Sequence, residues 1–331
     1  MFKTHITTIL TLLMVGSLSA DGDSFAYLKS LPKAELHLHL GGSFPLSYLL
    51  SIASPEQAEE LHKGLEVISK KVHYHDVFPL FKLVGNIVNS EERVQKGVEA
   101  LCESLKEDGV SYVEIRSSVK DLGKGYEEYL KAILQGMANE RSESFKPYLL
   151  LSLQRNSAIA ITKATIDLAL KYQDEGVVGI DLSGDSSLEQ MEFLIPELKR
   201  AKNSGLALVL HMGESPKEKG QIDLLTHLEP DRIGHGVFLT DEAKEWIIAK
   251  KIPIEVCLTS SVLVEMVKNA HEHPGLELYR NGHPIALSTD DPLLFSTSLS
   301  QELLLAHEQC GLSLEELFSI TYNSFKYTLG K

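Results

Sequence analysis

The chain has 331 residues, 43% of them hydrophobic, enough to bury one barrel-sized domain or two ordinary ones. Lys and Arg number 32 against 46 Asp and Glu, and the net charge of −14 argues against nucleic acid or an anionic membrane as the main partner. Three cysteines, Cys102, Cys257 and Cys310, are too few and too widely spaced for a disulfide framework or a zinc ribbon, so any metal must be held by His and carboxylates.

In chain order, Lys3 precedes the apolar run "ITTILTLLMVGSLSA", too short to span a membrane permanently and of the length of an export-signal core. Residues 1–20 are therefore expected to be a signal peptide ahead of a catalytic domain over 28–331. A functional leader implies a periplasmic or secreted protein with no stable membrane insertion after cleavage; without one the protein is cytoplasmic. Beyond the leader, short β-branched apolar runs alternate with stretches of helical period. The predicted strands are 34–40, 110–118, 147–155, 177–185, 206–214, 232–238, 253–261 and 284–291, eight in all. Helices are predicted over 91–109, with Ser90 as N-cap and Gly109 as the stop, over 187–205 and over 241–251. This pattern predicts an α/β fold, a single (β/α)8 barrel, with 44–90 forming extra helices over its C-terminal mouth. Two separate α/β domains are the alternative.

The first strand carries "AELHLHL", in which His37 and His39 are two apart and project from one face. Barrel chemistry sits at the C-terminal ends of the strands. There the fifth strand offers His211 and Glu214, the sixth His235, and the eighth Asp290 and Asp291. Three imidazoles and a carboxylate, His37, His39, His211 and Asp290, make a suitable ligand set for one zinc ion with a water in the open position. Glu214 and His235 are then left for proton transfer and for orienting the nucleophile. His5, His62, His73, His75, His227, His271, His273, His283 and His307 fall on helical or loop stretches and read as surface or packing residues. Asp185, Arg116 and Ser260 read as structural groups at the barrel rim.

The ordered motifs "PKAELHLHLGGS", "GIDLSGD", "LHMGES", "DRIGHGVFL", "EVCLTSS" and "LSTDDPLLF" resemble those of the adenosine deaminase family, from about residue 31 onward. The resemblance implies zinc-dependent hydrolytic deamination of a 6-aminopurine, with Glu214 as the acid that protonates ring N1 and His235 as the group that orients and helps deprotonate water. It further implies that Asp291 contacts N7 and the nucleophile and that the Gly184 backbone donates near N3. Adenosine-specific members carry an Asp where this chain has Gly41, so the sugar contact differs. Gly41, Gly42 and Ser43 suit a phosphate, as in members acting on N6-methyl-AMP, whereas Gly213 is typical of adenosine and adenine deaminases. Adenosine is the first expected substrate; AMP or N6-methyl-AMP is the alternative, and a catalytically silent purine-binding protein is a third reading. The H-x-E and P-C-x-x-C signature of cytidine-type zinc deaminases does not occur. No sequence feature specifies an oligomeric state.

Overall fold

The computed structural model describes residues 21–70, 72–186 and 191–330; the expected leader lies outside them. Eight strands form one sheet: β1 Lys33–His39, β2 Val110–Ser117, β3 Lys146–Gln154, β4 Val177–Ser183, β5 Ala207–Met212, β6 Arg232–His235, β7 Ile254–Val256 and β8 Ile285–Leu287. Neighbours pair in chain order, and every pair is parallel. The sheet closes just past β8, where Leu38 bridges to Asp290; His39 N donates to Asp290 O at 2.9 Å and Asp290 N to His37 O at 2.8 Å. The fold is the expected (β/α)8 barrel.

Period-two alternation explains the two sides of β1. Leu38 joins the core packed beneath the helices, whereas Glu35 and His37 reach across the interior to Thr289 and Glu255. The Glu91–Glu107 helix begins where the Ser90 hydroxyl accepts from Arg93 N, and it buries Val94, Val98, Leu101 and Leu105 on one face. Residues 44–90 form the helices Leu46–Ile52, Pro55–Ile68 and Phe78–Ile87, and Val77, Phe78 and Phe81 from this insertion face the cavity at the barrel mouth. At the opposite end, Phe325 and Tyr327 pack on Ala34, Leu36, Tyr112 and Ala286. Among the described residues no helix is long and apolar enough to cross a membrane.

Two elements differ from the sequence expectation. The apolar run 253–261 is a three-residue strand followed by the Leu258–Leu263 helix, because Glu302 Oε2 accepts from the backbone of Leu258 and Thr259, each at 3.1 Å, and so caps that helix from outside. The helix expected over 187–205 is Ile195–Asn203, with a 3-10 turn at Glu192–Leu194 and a proline in its first turn; residues 187–190 lie outside the described set.

Candidate active site

His37 is fully buried, with Nδ1 2.8 Å from Glu255 Oε2. That contact has the ring donating through Nδ1, and among the described residues Nε2 has no hydrogen-bond partner. His211 differs: its Nδ1 lies 2.9 Å from Asp181 Oδ1, but out of line for a hydrogen bond. Its Nε2 lies 3.1 Å from His39 Nε2. Burial, then the neighbouring His211, lower the His39 pKa to about 3, so its imidazole is neutral. Asp290 Oδ1 stands 3.5 Å from Nε2 of both His37 and His39. Imidazole nitrogens and a carboxylate oxygen converging on one point are the donor set that a divalent metal requires. The orphaned His37 Nε2 is the specific sign that these residues fit such an ion.

Glu214, His235 and Asp291 border this cluster. Burial pushes Glu214 up to about 7, so a large share of it is protonated at neutral pH. Its Oε1 is 3.6 Å from His235 Nε2, and burial holds His235 well below the usual imidazole range and therefore neutral. Burial and the adjacent Asp290 carboxylate push Asp291 well above the ordinary carboxylate value. The ring atoms of His235 also fall within ligand reach of His37 and Asp290. His235 and Asp290 both take positive φ, +64° and +66°. For residues with a Cβ that conformation costs roughly 1–3 kcal/mol and is retained where the fold must aim a side chain.

A second clamp fixes the segment from His211 to Glu214. Glu218 Oε2 accepts from Gly213 N at 2.8 Å and Glu214 N at 3.0 Å, while Arg155 Nη2 donates to Glu218 Oε1 at 2.6 Å and to His211 O at 2.7 Å. The four groups Asp181, Glu255, Arg155 and Glu218 are absent from the sequence reading of the site. For Asp181 and Glu255 the signal was a carboxylate interrupting an otherwise apolar strand, in "GIDLS" and "PIEVC". Arg116 makes the structural salt links expected of it, to Asp181 and Glu255, and is fully buried where it borders the cavity. Ser260 donates to Cys257 O, and Asp185 Oδ2 lies 4.0 Å from His75 Nδ1. Of the discounted histidines, His273 and His283 are buried: His273 Nδ1 accepts from Gly275 N, and His283 Nε2 donates to Ile252 O.

These residues open into a cavity of about 330 Å³ whose lining includes His39, Gly41, Gly184, His211, Glu214 and Asp291. Gly42 lies behind Asp291, and Ser43 is turned away, its Oγ donating to His39 O at 2.5 Å. Gly213 is not on the cavity wall; its backbone, at φ +72°, packs against Phe238. The lining also holds polar groups not singled out from the sequence. Ser118 and Ser183 Oγ each accept from Gln154 Nε2, which leaves both hydroxyl protons to donate, and the buried Ser152 Oγ has no partner. Lys120 lines the same cavity and makes no ion pair among the described residues.

Gly42 yields a direct prediction. A Cβ there falls 1.9 Å from Asp291 Oδ1 and 2.5 Å from its Cγ. Gly42→Ala is expected to displace the carboxylate and cut kcat by roughly tenfold or more while the far-UV circular dichroism stays native. An alanine variant with full kcat would show that Asp291 can move without consequence.

The barrel with a buried His and Asp cluster at its mouth fits a metal-dependent hydrolase. The family described as adenosine deaminase matches residues 32–329, and the chain belongs to it. It is 32% identical to an N6-methyl-AMP deaminase of Danio rerio over 93% of each chain. It is 28% identical to an adenosine deaminase of Clostridium botulinum, over 89% of this chain and 93% of that one. Among solved structures, Arabidopsis ADAL complexed with GMP superimposes with a TM-score of 0.86 at 31% identity, covering 92% of this chain and 94% of that one.

Proposed function

We propose that the chain hydrolytically deaminates a 6-aminopurine nucleotide, AMP or its N6-methyl derivative, with zinc in the His37, His39, His211 and Asp290 site. The observation that carries this reading is the cavity lining, where Lys120 and the hydroxyls of Ser118, Ser152 and Ser183 offer a cation and donors to a phosphate. Gly41, in the place of an Asp, removes a charge that would repel that phosphate. The Ser43 hydroxyl adds no proton to this seat, since it donates to His39 O. The nucleotide reading also agrees with the relative that has GMP bound.

The ligand set, when loaded, supplies a Lewis acid that lowers the pKa of water toward ~7 and makes hydroxide available at neutral pH. The remaining work falls to the chain's own groups. Glu214, with its raised pKa, delivers a proton to ring N1, and this makes C6 electrophilic. His235, neutral because it is buried, takes the proton that the attacking water gives up. Asp291 accepts a hydrogen bond from the nucleophile and, in its protonated form, donates to N7. The C6–N bond then breaks as the C6 hydroxyl becomes a carbonyl and returns its proton to Glu214, and the nitrogen leaves as ammonia or methylamine with the proton held by His235. The backbone of Gly184 orients the purine at N3.

The test is amine release by the zinc-loaded protein from AMP, N6-methyl-AMP, adenosine and adenine in parallel. Nucleotides are expected to exceed adenosine in kcat/KM, and Lys120→Ala to lower nucleotide kcat/KM by about 10–100-fold with no change for adenosine, the size of one charge-assisted hydrogen bond. Preference for adenosine, with Lys120→Ala silent, would return the reading to an adenosine deaminase.

A further inference from the structure

The two imidazoles faced by carboxylates come from opposite sides of the barrel, β1 and β5, yet a single side chain joins them. Arg116 Nη1 donates to Asp181 Oδ1 at 3.1 Å, and Nη2 donates to Glu255 Oε2 and, at 2.9 Å, to Leu36 O. The two oxygens it holds are the same ones that face the histidines: Asp181 Oδ1 lies 2.9 Å from His211 Nδ1, and Glu255 Oε2 lies 2.8 Å from His37 Nδ1. All five side chains are buried, with exposures of 0 to 3%. We propose that Arg116 is a positioning residue for the metal centre: its planar guanidinium sets the separation of two carboxylate oxygens, and through them the tautomer and orientation of the His37 ring and the electrostatic seat of the His211 ring.

The guanidinium plane matters because its two terminal nitrogens reach two acceptors at a fixed spacing, which a single ammonium cannot reproduce. Without it, two carboxylates share a low-dielectric interior, repel each other, and are free to rotate away from the imidazoles. Arg232 does not substitute for it. Arg232 Nε holds Glu255 at the other oxygen, Oε1, at 2.7 Å, and its remaining donors go to Glu114 and to Tyr327 O at the closed end of the barrel. The oxygens facing the histidines therefore depend on Arg116.

This inference rests on the assignment of His37, His39, His211 and Asp290 as the metal site, and the experiment separates the two. Zinc affinity of the full chain is measured by competition with a chromophoric chelator for wild type, Arg116→Met, Arg116→Lys and Glu302→Gln, with urea midpoints in parallel. Glu302 is the control for general destabilisation: it is buried and hydrogen-bonded, but to Leu258 N, Thr259 N and Thr297 Oγ1, none of which touches a histidine. Both Arg116 variants are expected to weaken zinc binding by about 10–100-fold, the effect of removing an outer partner of a metal ligand, whereas Glu302→Gln lowers the urea midpoint with affinity within about threefold of wild type. Should Arg116→Met not fold, Arg116→Lys, which keeps the charge, carries the same comparison. Wild-type affinity in Arg116→Lys, or a loss no larger than in Glu302→Gln at a matched midpoint, overturns the proposal. A wild-type chain that binds no zinc overturns the metal site itself.

Discussion

Glu214→Gln is expected to lose most turnover, by roughly 10²–10⁴ in kcat, while keeping its metal. The amide has nearly the same shape, so the hydrogen bonds from Gly213 N and Glu214 N to Glu218 persist and the His211 backbone stays in place. What is lost is an acidic proton. Burial keeps the Glu214 carboxyl near pH 7, where it can both hold a proton and release it, and an amide has no such proton to give. The expected result is a variant with wild-type zinc content by elemental analysis and a kcat at a small fraction of wild type. Turnover close to wild type would remove Glu214 from the chemistry. His211→Ala makes the complementary case, since it removes a donor nitrogen and is expected to abolish zinc retention along with activity.

Glu255→Ala is expected to be the most destabilising single change in the barrel interior, at about 3–5 kcal/mol, the usual cost of stranding a buried charge. Glu255 is fully buried, and Arg116, Arg232 and His37 all converge on its two oxygens. Despite its burial, those two guanidinium groups hold its carboxyl well below the usual range. Truncation leaves two arginines facing an apolar gap, each with one carboxylate remaining, Asp181 for Arg116 and Glu114 for Arg232. Urea unfolding of the metal-free protein reads the effect without a contribution from zinc. A shift below about 1 kcal/mol would mean that water enters and solvates the arginines, and that the interior is less dry than its burial indicates.

Much of the site was legible because its signals are local. The spacing of His37 and His39 is a property of any strand, and so is the placement of His211, Glu214, His235, Asp290 and Asp291 at the ends of apolar runs. The left-handed backbone at His235 and Asp290 was not legible, since neither residue type announces positive φ. The position of Ser43 was not either: "GGS" next to ligand histidines reads as a cradle, but the 3-10 turn at Leu40–Gly42 rolls the hydroxyl back onto His39 O.

The sequence by itself determined the strand count, the order of the elements and the candidate site residues, because each depends on periodicity or on motifs a few residues long. It also carried the family resemblance, which rests on ordered motifs and needs no contacts. Only the tertiary structure decided which carboxylate faces which imidazole, that Arg116 is buried between two of those carboxylates, and that Lys120 lines the same cavity as Ser118, Ser152 and Ser183. It likewise decided that "LTSS" begins a helix, through a cap supplied by Glu302. The reason is the same in each case. These groups are many residues apart along the chain, and nothing in a strand's own pattern fixes what it meets across the barrel until the eighth strand region returns to the first at Leu38 and Asp290.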